Sequence, residues 1–312
     1  MQAWQLPHPR GMRSTATHDS KRGEDVRARL TVLTEAADSW IALARRWAER
    51  SDAHRIDGQP DRNFEYYLYQ TLAGAWPLSR DRAHTHAEKA ARESKVFTDW
   101  LTPSEEYERA VHHFVDGLYD DAAFIEELSA FVATLHPADW TKALSQLLLK
   151  LTVPGVPDIY QGSELWQLAL TDPDNRAAVD FDSRRLLLDE CATLPAAAVL
   201  ARMDEGLPKL WTLARTLALR ARHPDLDPAA AYTPLEVRGP RAEHVIAFQR
   251  GSALAVVVPI RTLDTDWHDT RVVLPAGSWG HVLGEATLDG GECLVQALFH
   301  HFPVALLERS AA

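Results

Sequence analysis

Cysteine is almost missing from this 312-residue chain. Cys191 and Cys293 stand far apart with no short Cys or His spacing around either, so neither a disulfide framework nor a zinc site is indicated. Basic charge is also in short supply: 33 Lys and Arg face 44 Asp and Glu, a net charge of −11, and no long basic patch offsets it. That balance argues against nucleic acid or an anionic membrane as partner and suits a neutral substrate. Long apolar runs are missing too. Neither the apolar core of a secretion signal nor a run near the ~20 residues of a membrane span is found, so the expected compartment is the cytoplasm. What is present is 46% hydrophobic residues, enough for one large core or two smaller ones in a globular protein.

The chain is organised around Thr15 to Arg29. A β-branched, strand-like run ends in His18-Asp19, passes a basic turn with Gly23, and opens a helix with Glu24 and Asp25 in its first turn. A carboxylate at a strand-to-helix junction is how the catalytic face of an α/β barrel is built, which makes Asp19 the first candidate acid. The competing reading is that Asp19 and Ser20 only cap the helix. The segment before Arg13, with its prolines and a glycine, reads as a loop entered in mid-fold.

From Glu24 onward, Val26, Leu30, Leu33, Ala37, Ala44 and Trp47 recur at three- and four-residue steps, as in an amphipathic helix. Phe64 to Ala75 repeats that spacing, and Ser79 to Lys95 is helical by propensity. His84 and His86, two apart, fall on different sides of a helix and do not make a metal pair; His112 and His113 read as surface. Thr102-Pro103-Ser104-Glu105 has capping-box order with Thr102 as N-cap. Further helices follow at Phe124 to Leu135 and, capped by Asp139, at Trp140 to Leu151. Residues 26 to 151 are thus expected to be almost wholly helical.

Thr152 to Glu164 breaks this pattern with a Pro154-Gly155 turn, a short apolar strand from Val156 to Tyr160, and a loop bearing Glu164. The loop runs on through Asp172-Pro173-Asp174-Asn175-Arg176, dense in groups that hydrogen-bond sugar hydroxyls or simply one another. After an amphipathic helix from Pro208 to Arg222, short alternating runs between glycines, prolines and aspartates predict a small antiparallel β domain from about residue 225.

Thr17 to Arg27, together with Pro154 to Glu164 and Asp172 to Arg176, resembles the carboxyl-terminal part of the maltooligosyltrehalose synthases, a branch of the α-amylase superfamily. Arg62 to Trp76, Gly206 to Trp211 and the closing β segment are similar to the same family in the same order. The resemblance implies the last strands of a (β/α)8 barrel with a large helical insertion and a C-terminal antiparallel β-sandwich. Residues 1–25 would be barrel strand 7 and its catalytic-face loop, 26–138 the insertion, 139–224 helix 7, strand 8, substrate loop and helix 8, and 225–312 the sandwich.

The same resemblance implies a glucosylmutase reaction, in which the reducing-end α-1,4 linkage of a maltooligosaccharide becomes α,α-1,1. It makes Asp19 the transition-state stabiliser and His18 its sugar-binding neighbour. Lys21 and Arg22, with Tyr160, Gln161, Glu164, Asp174, Asn175 and Arg176, would hold the substrate, a maltooligosaccharide or glycogen-derived α-glucan. For Lys21 and Arg22, solvent exposure or ion pairs with Glu24 or Asp25 are the alternatives. Ser20 stands where the family usually has threonine. No cofactor and no metal are implied.

Retaining chemistry needs a nucleophile and an acid/base about 5 Å apart, and neither has a counterpart here. The chain therefore reads as a fragment, a truncated reading frame or one part of a split enzyme, partnered by an upstream catalytic half and inactive alone. An amylase-like hydrolase or glucanotransferase of the same superfamily, or a non-catalytic glucan-binding fragment, are the other readings. Activity of the lone chain would point to Asp158, Glu164 or Asp174 as a second carboxylate.

Overall fold

The computed structural model describes residues 8–310, so the start of the 1–25 segment lies outside the described residues. In chain order come strand β1 (Met12–Arg13) and helices α1 (Glu24–Val32), α2 (Ala37–Arg50), α3 (Arg62–Ala75), α4 (Arg80–Ser94), α5 (Glu105–Asp120), α6 (Ala122–Leu135) and α7 (Ala138–Thr152). Strand β2 (Val156–Pro157) leads to α8 (Phe181–Cys191), α9 (Ala196–Leu200) and α10 (Leu207–Arg222). Then follow β3 (Tyr232–Pro234), β4 (Val237–Arg238), β5 (Val245–Arg250), β6 (Leu254–Pro259), β7 (Arg271–His281), β8 (Thr287–Leu294), α11 (Val295–His301) and β9 (Ala305–Arg309). These elements cluster into two units, a helical one of residues 18–137 and 168–177, and one of residues 8–17, 138–167 and 178–310.

In the helical unit the three- and four-residue spacing becomes a buried face. Val26, Trp40, Trp47, Leu68, Leu72, Val111, Phe114, Phe124, Leu128 and Val132 are all buried. Trp47 lies with its ring 5.9 Å from Trp40, 5.6 Å from Tyr69 and 4.9 Å from Phe124, edge-to-face geometries that aromatic quadrupoles favour. Its indole N–H donates to Glu127 at 2.8 Å, so the buried ring leaves no polar atom unpaired. Side chains cap the helices: Asp61 accepts from the Asn63 and Phe64 N–H groups of α3, and Asp121 does the same for Ala123 and Phe124 of α6. Thr102 is not a cap. Its N–H and hydroxyl both turn back to Asp99, at 2.7 and 2.8 Å, and α5 instead starts under Ser104, which accepts from the Tyr107 N–H.

In the other unit β1 pairs in parallel with β2, Met12 opposite Val156 and Arg13 opposite Pro157. The strand thus lies ahead of the threonine run that looked strand-like, because the Gly11 and Arg13 carbonyls are the ones that accept from Val156 and Asp158. Gly155 is required at this join: its φ is +125°, and a Cβ there would sit 2.6 Å from the Gly11 carbonyl oxygen.

The antiparallel region after residue 225 is a seven-stranded sheet, ordered β3-β5-β6-β9-β7-β4 with β8 paired to β7. Strand β6 is buried along its whole length, which is why its sequence is a continuous apolar run rather than an alternation. Successive side chains point to opposite faces of the sheet. Phe248, Val256, Val258 and Leu306 pack with Leu144, Leu148 and Trp211, while Ala247, Ala255, Val257 and Leu307 pack with Val272, Leu274 and Trp279. Each fully buried Val or Leu of this kind contributes about 1.5–3 kcal/mol. Arg250 is also fully buried; it donates to the Asp227 carbonyl at 2.7 Å and to that of Thr152, tying β5 to the loops around it.

Candidate functional site

His18 and Asp19 occupy a turn at the start of the helical unit, Nε2 to Oδ2 3.1 Å apart, with side chains 57% and 82% exposed. Their backbone is fixed although their side chains are open. The buried Asn175 donates its side-chain N–H to the His18 carbonyl at 3.0 Å, and the Gly23 N–H donates to Ala169 at 2.8 Å. The cap reading for Asp19 does not hold, since the residue before α1 is Gly23 and no side chain caps that helix.

Lys21 and Arg22 diverge. Lys21 pairs with Glu93 near the end of α4, not with Glu24 or Asp25. Arg22 turns inward, its guanidinium 4.7 Å above the Tyr67 ring and 3.2 Å from the Thr71 hydroxyl. Burial pushes the Arg22 pKa down.

The 168–177 segment is bolted to α4. Arg82 grips both Asp174 oxygens, at 2.6 and 2.8 Å, and the Leu170 N–H adds a third bond to the same carboxylate at 2.7 Å. Burial raises the Asp174 carboxyl, but Arg82 and Leu170 outweigh it and hold the group below the usual carboxylate range. Arg176 reaches Asp172 at 2.6 Å, and Lys89 lies 3.5 Å from Asp172 and 3.6 Å from Glu93. Alternating charges therefore run from Lys21 through Glu93, Lys89 and Asp172 to Arg176. Removing the Arg82 fork by Arg82→Met strands a partly buried carboxylate; a loss of about 2 kcal/mol is expected, after allowing for the partial exposure of Arg82. Urea denaturation of the two proteins checks this.

Tyr160, Gln161 and Glu164 lie in the other unit, just after β2. The Tyr160 carbonyl accepts from the Ser163 N–H and hydroxyl, Gln161 is exposed, and Glu164 receives the Arg184 guanidinium at 3.1 Å. The structure thus groups His18, Asp19, Lys21, Arg22, Asp174, Asn175 and Arg176 within one unit. Among the described residues no cluster of three His, Cys, Asp or Glu side chains could hold a metal ion.

The sequence places a helix over Ser79 to Lys95, where α4 lies, but its charged face carried no assigned role. Arg82, His86, Lys89 and Glu93 recur at steps of four, three and four, which places them on one helix face, and that spacing was the available signal. His84 faces away from them and meets His112, Nδ1 to Nδ1 at 2.7 Å, while their Nε2 atoms lie against Asp116 and Glu88 at 2.9 and 3.1 Å. One Nδ1 must donate to the other, and this hydrogen bond ties α4 to α5.

No family model matches the sequence. A protein of Mycobacterium tuberculosis (strain ATCC 25618 / H37Rv) described as a maltooligosyl trehalose synthase is 40% identical over 314 aligned positions, covering 97% of this chain and 38% of that protein. A cyclomaltodextrin glucanotransferase of a Bacillus species (strain 38-2) is 29% identical over 182 positions, covering 57% of this chain and 22% of its own. Among solved structures, the maltooligosyltrehalose synthase of Arthrobacter ramosus superposes with a TM-score of 0.87 at 35% identity, over 99% of this chain and 40% of that one. Similar in sequence over 97% of its length and in fold over 99%, the chain is related to the maltooligosyltrehalose synthases and matches a carboxyl-terminal part, about two fifths of their length.

Proposed function

We propose that the chain is the carboxyl-terminal portion of an intramolecular α-glucan glucosylmutase that turns the reducing-end α-1,4 linkage of maltooligosaccharides into an α,α-1,1 linkage. The observation that carries this reading is the exposed His18-Asp19 pair on a backbone pinned by Asn175 and Ala169. Charge and hydrogen-bonding groups are available to a ligand while the backbone beneath them is held by two hydrogen bonds, an arrangement suited to transition-state stabilisation by preorganised groups. Asp19 is the stabiliser of positive charge on the sugar, and His18 a hydroxyl-binding neighbour.

In this reading the nucleophile and acid/base belong to an upstream polypeptide, and the 312-residue chain alone does not turn over. The parallel pairing of β1 with β2, followed by α-helices, supports descent from the last strands of a (β/α)8 barrel. Residues 26–138 are then the insertion; over 225–312 there is one seven-stranded sheet, and only the packing of Ala247, Val257 and Leu307 against Val272, Leu274 and Trp279 of the same sheet supports a sandwich-like domain, the other face lying on helices. Tyr160, Gln161 and Glu164 are read as substrate-binding residues of the loop after β2. The partner is an α-glucan, and the compartment the cytoplasm.

A mutase must retain the cleaved glucose while it turns and must keep water from the glycosyl-enzyme. Exchange of both Lys21 and Arg22 for alanine in the completed enzyme is expected to raise the hydrolysed fraction several-fold; chromatography of glucose against trehalose-ended product measures it. An unchanged ratio removes both residues from the acceptor site. The similarity to a glucanotransferase keeps a second reading, transfer between glucans. Incubating the chain, joined to its upstream part, with maltopentaose decides: non-reducing product of unchanged length supports the mutase, and redistributed chain lengths or released reducing sugar supports the alternative.

A further inference from the structure

Arg22 is half-buried in the helical unit, yet no acid among the described residues pairs with it. Its two hydrogen bonds both run from Nη2, to the Thr71 hydroxyl at 3.2 Å and to the Tyr67 carbonyl at 3.4 Å, and its Nε–H is buried without a partner. The guanidinium carbon lies 4.7 Å over the Tyr67 ring. That ring does not neutralise the cation. Burial pushes the Tyr67 hydroxyl up against the pull of Arg22, so the phenol keeps its proton.

Arginines that tie the fold together here have their donors occupied. Arg82 and Arg92 each fork onto a carboxylate, of Asp174 and Glu108, and the fully buried Arg250 donates to the carbonyls of Thr152 and Asp227. Arg22 instead keeps its charge and its Nη1 donors uncommitted. A cation over an aromatic face is held by the ring quadrupole without being neutralised, as it would be in an ion pair. Its place is also fixed from two sides. Arg22 bridges Leu170 through the backbone, three residues on from Asp19. The Tyr67 ring is itself held, its hydroxyl 2.7 Å from His86 Nε2 and the two rings stacked at 14°. Burial, then the Arg22 charge, push His86 down to about 4, so at neutral pH it adds no second cation.

We propose that Tyr67 is a positioning residue for the mutase step: its ring carries the Arg22 guanidinium in the place where the cleaved glucose will need it, so that the glucose is retained rather than replaced by water. This rests on the acceptor role given to Arg22 above. A long side chain fixed beforehand loses little freedom when it meets the sugar oxygens, and retention is stronger for it.

The test is the ratio of hydrolysed to trehalose-ended product from maltopentaose in the completed enzyme, a ratio that does not depend on how much of a variant is folded. Tyr67→Leu is expected to raise the hydrolysed share about threefold or more. Tyr67→Phe, which keeps the ring, should bring it back to within about twofold of the parent, and Tyr67→Leu added to Arg22→Ala should change nothing further. An unchanged ratio in Tyr67→Leu, a Phe variant as impaired as the Leu variant, or a full extra effect on top of Arg22→Ala each overturns the proposal. In the 312-residue chain itself, nitrogen NMR is expected to resolve the two Arg22 Nη resonances because rotation about Nε–Cζ is hindered; averaged resonances overturn the proposal even where Tyr67→Leu does not fold. A completed parent enzyme that forms no trehalose-ended product sinks the mutase reading and this role with it, whereas a parent that forms it and a Tyr67→Leu variant with the same ratio sink this role alone.

Discussion

Asp19→Asn, made in the enzyme completed by its upstream part, is expected to lower kcat by about 10²–10³-fold with little change in KM. The amide keeps the size and much of the hydrogen bonding of the carboxylate, so ground-state binding through His18 and the neighbouring groups survives. What it removes is the negative charge, and that charge matters most where positive charge develops on the sugar. The structure sharpens the expectation, because the Asp19 side chain is exposed and supports no helix. Loss of activity therefore cannot be laid to unfolding. Steady-state kinetics on maltopentaose measure it, and a change confined to KM would leave Asp19 with a positioning role only.

The second large effect is on stability against acid. Burial, reinforced by the nearby Arg22 and Lys21 charges, pushes the His86 imidazole down to about 4, against the opposing pull of Asp174 and Glu93. Unfolded, the same imidazole takes up a proton near its ordinary pKa of about 6.5. Above that pH neither state is protonated and the full stability is present. As pH falls from 6.5 toward 4 the unfolded chain gains a proton that the folded one refuses, so stability of the helical unit drops by about 3 kcal/mol. His86→Gln should flatten that limb. Hydrogen exchange on peptides from α3 and α4, corrected for the intrinsic rate, is the right measurement. His281, buried in the other unit and likewise depressed to about 4, would blur a global unfolding curve. An acid limb of equal slope in parent and His86→Gln would assign the effect elsewhere.

Much of this was present in the order of residues alone. Apolar spacing placed the helices of residues 26 to 151, since a 3.6-residue period with a buried stripe has few other solutions. The change to short alternating runs after residue 225 foretold the antiparallel sheet. The long motifs around His18-Asp19 and Pro154 to Glu164 were specific enough to indicate the family to which sequence and fold comparison lead. Local capping was less legible. Thr102 and Ser104 are both good caps, and only the pull of Asp99 on Thr102 decided between them.

What the tertiary structure alone decided is the use of charge. From sequence, Lys21 could pair with Glu24 or Asp25 close by; in the fold it meets Glu93, and Arg22 goes to Tyr67. Asp174 carried the pattern of a sugar-binding residue, but Arg82 and Leu170 occupy both its oxygens. Ion pairs between residues distant in sequence depend on which helix face a turn happens to meet. Such partners exchange at little cost on a surface, so sequence periodicity carries no record of them. Helix and sheet, by contrast, are set by burial that every residue of an element shares, and that is written locally along the chain.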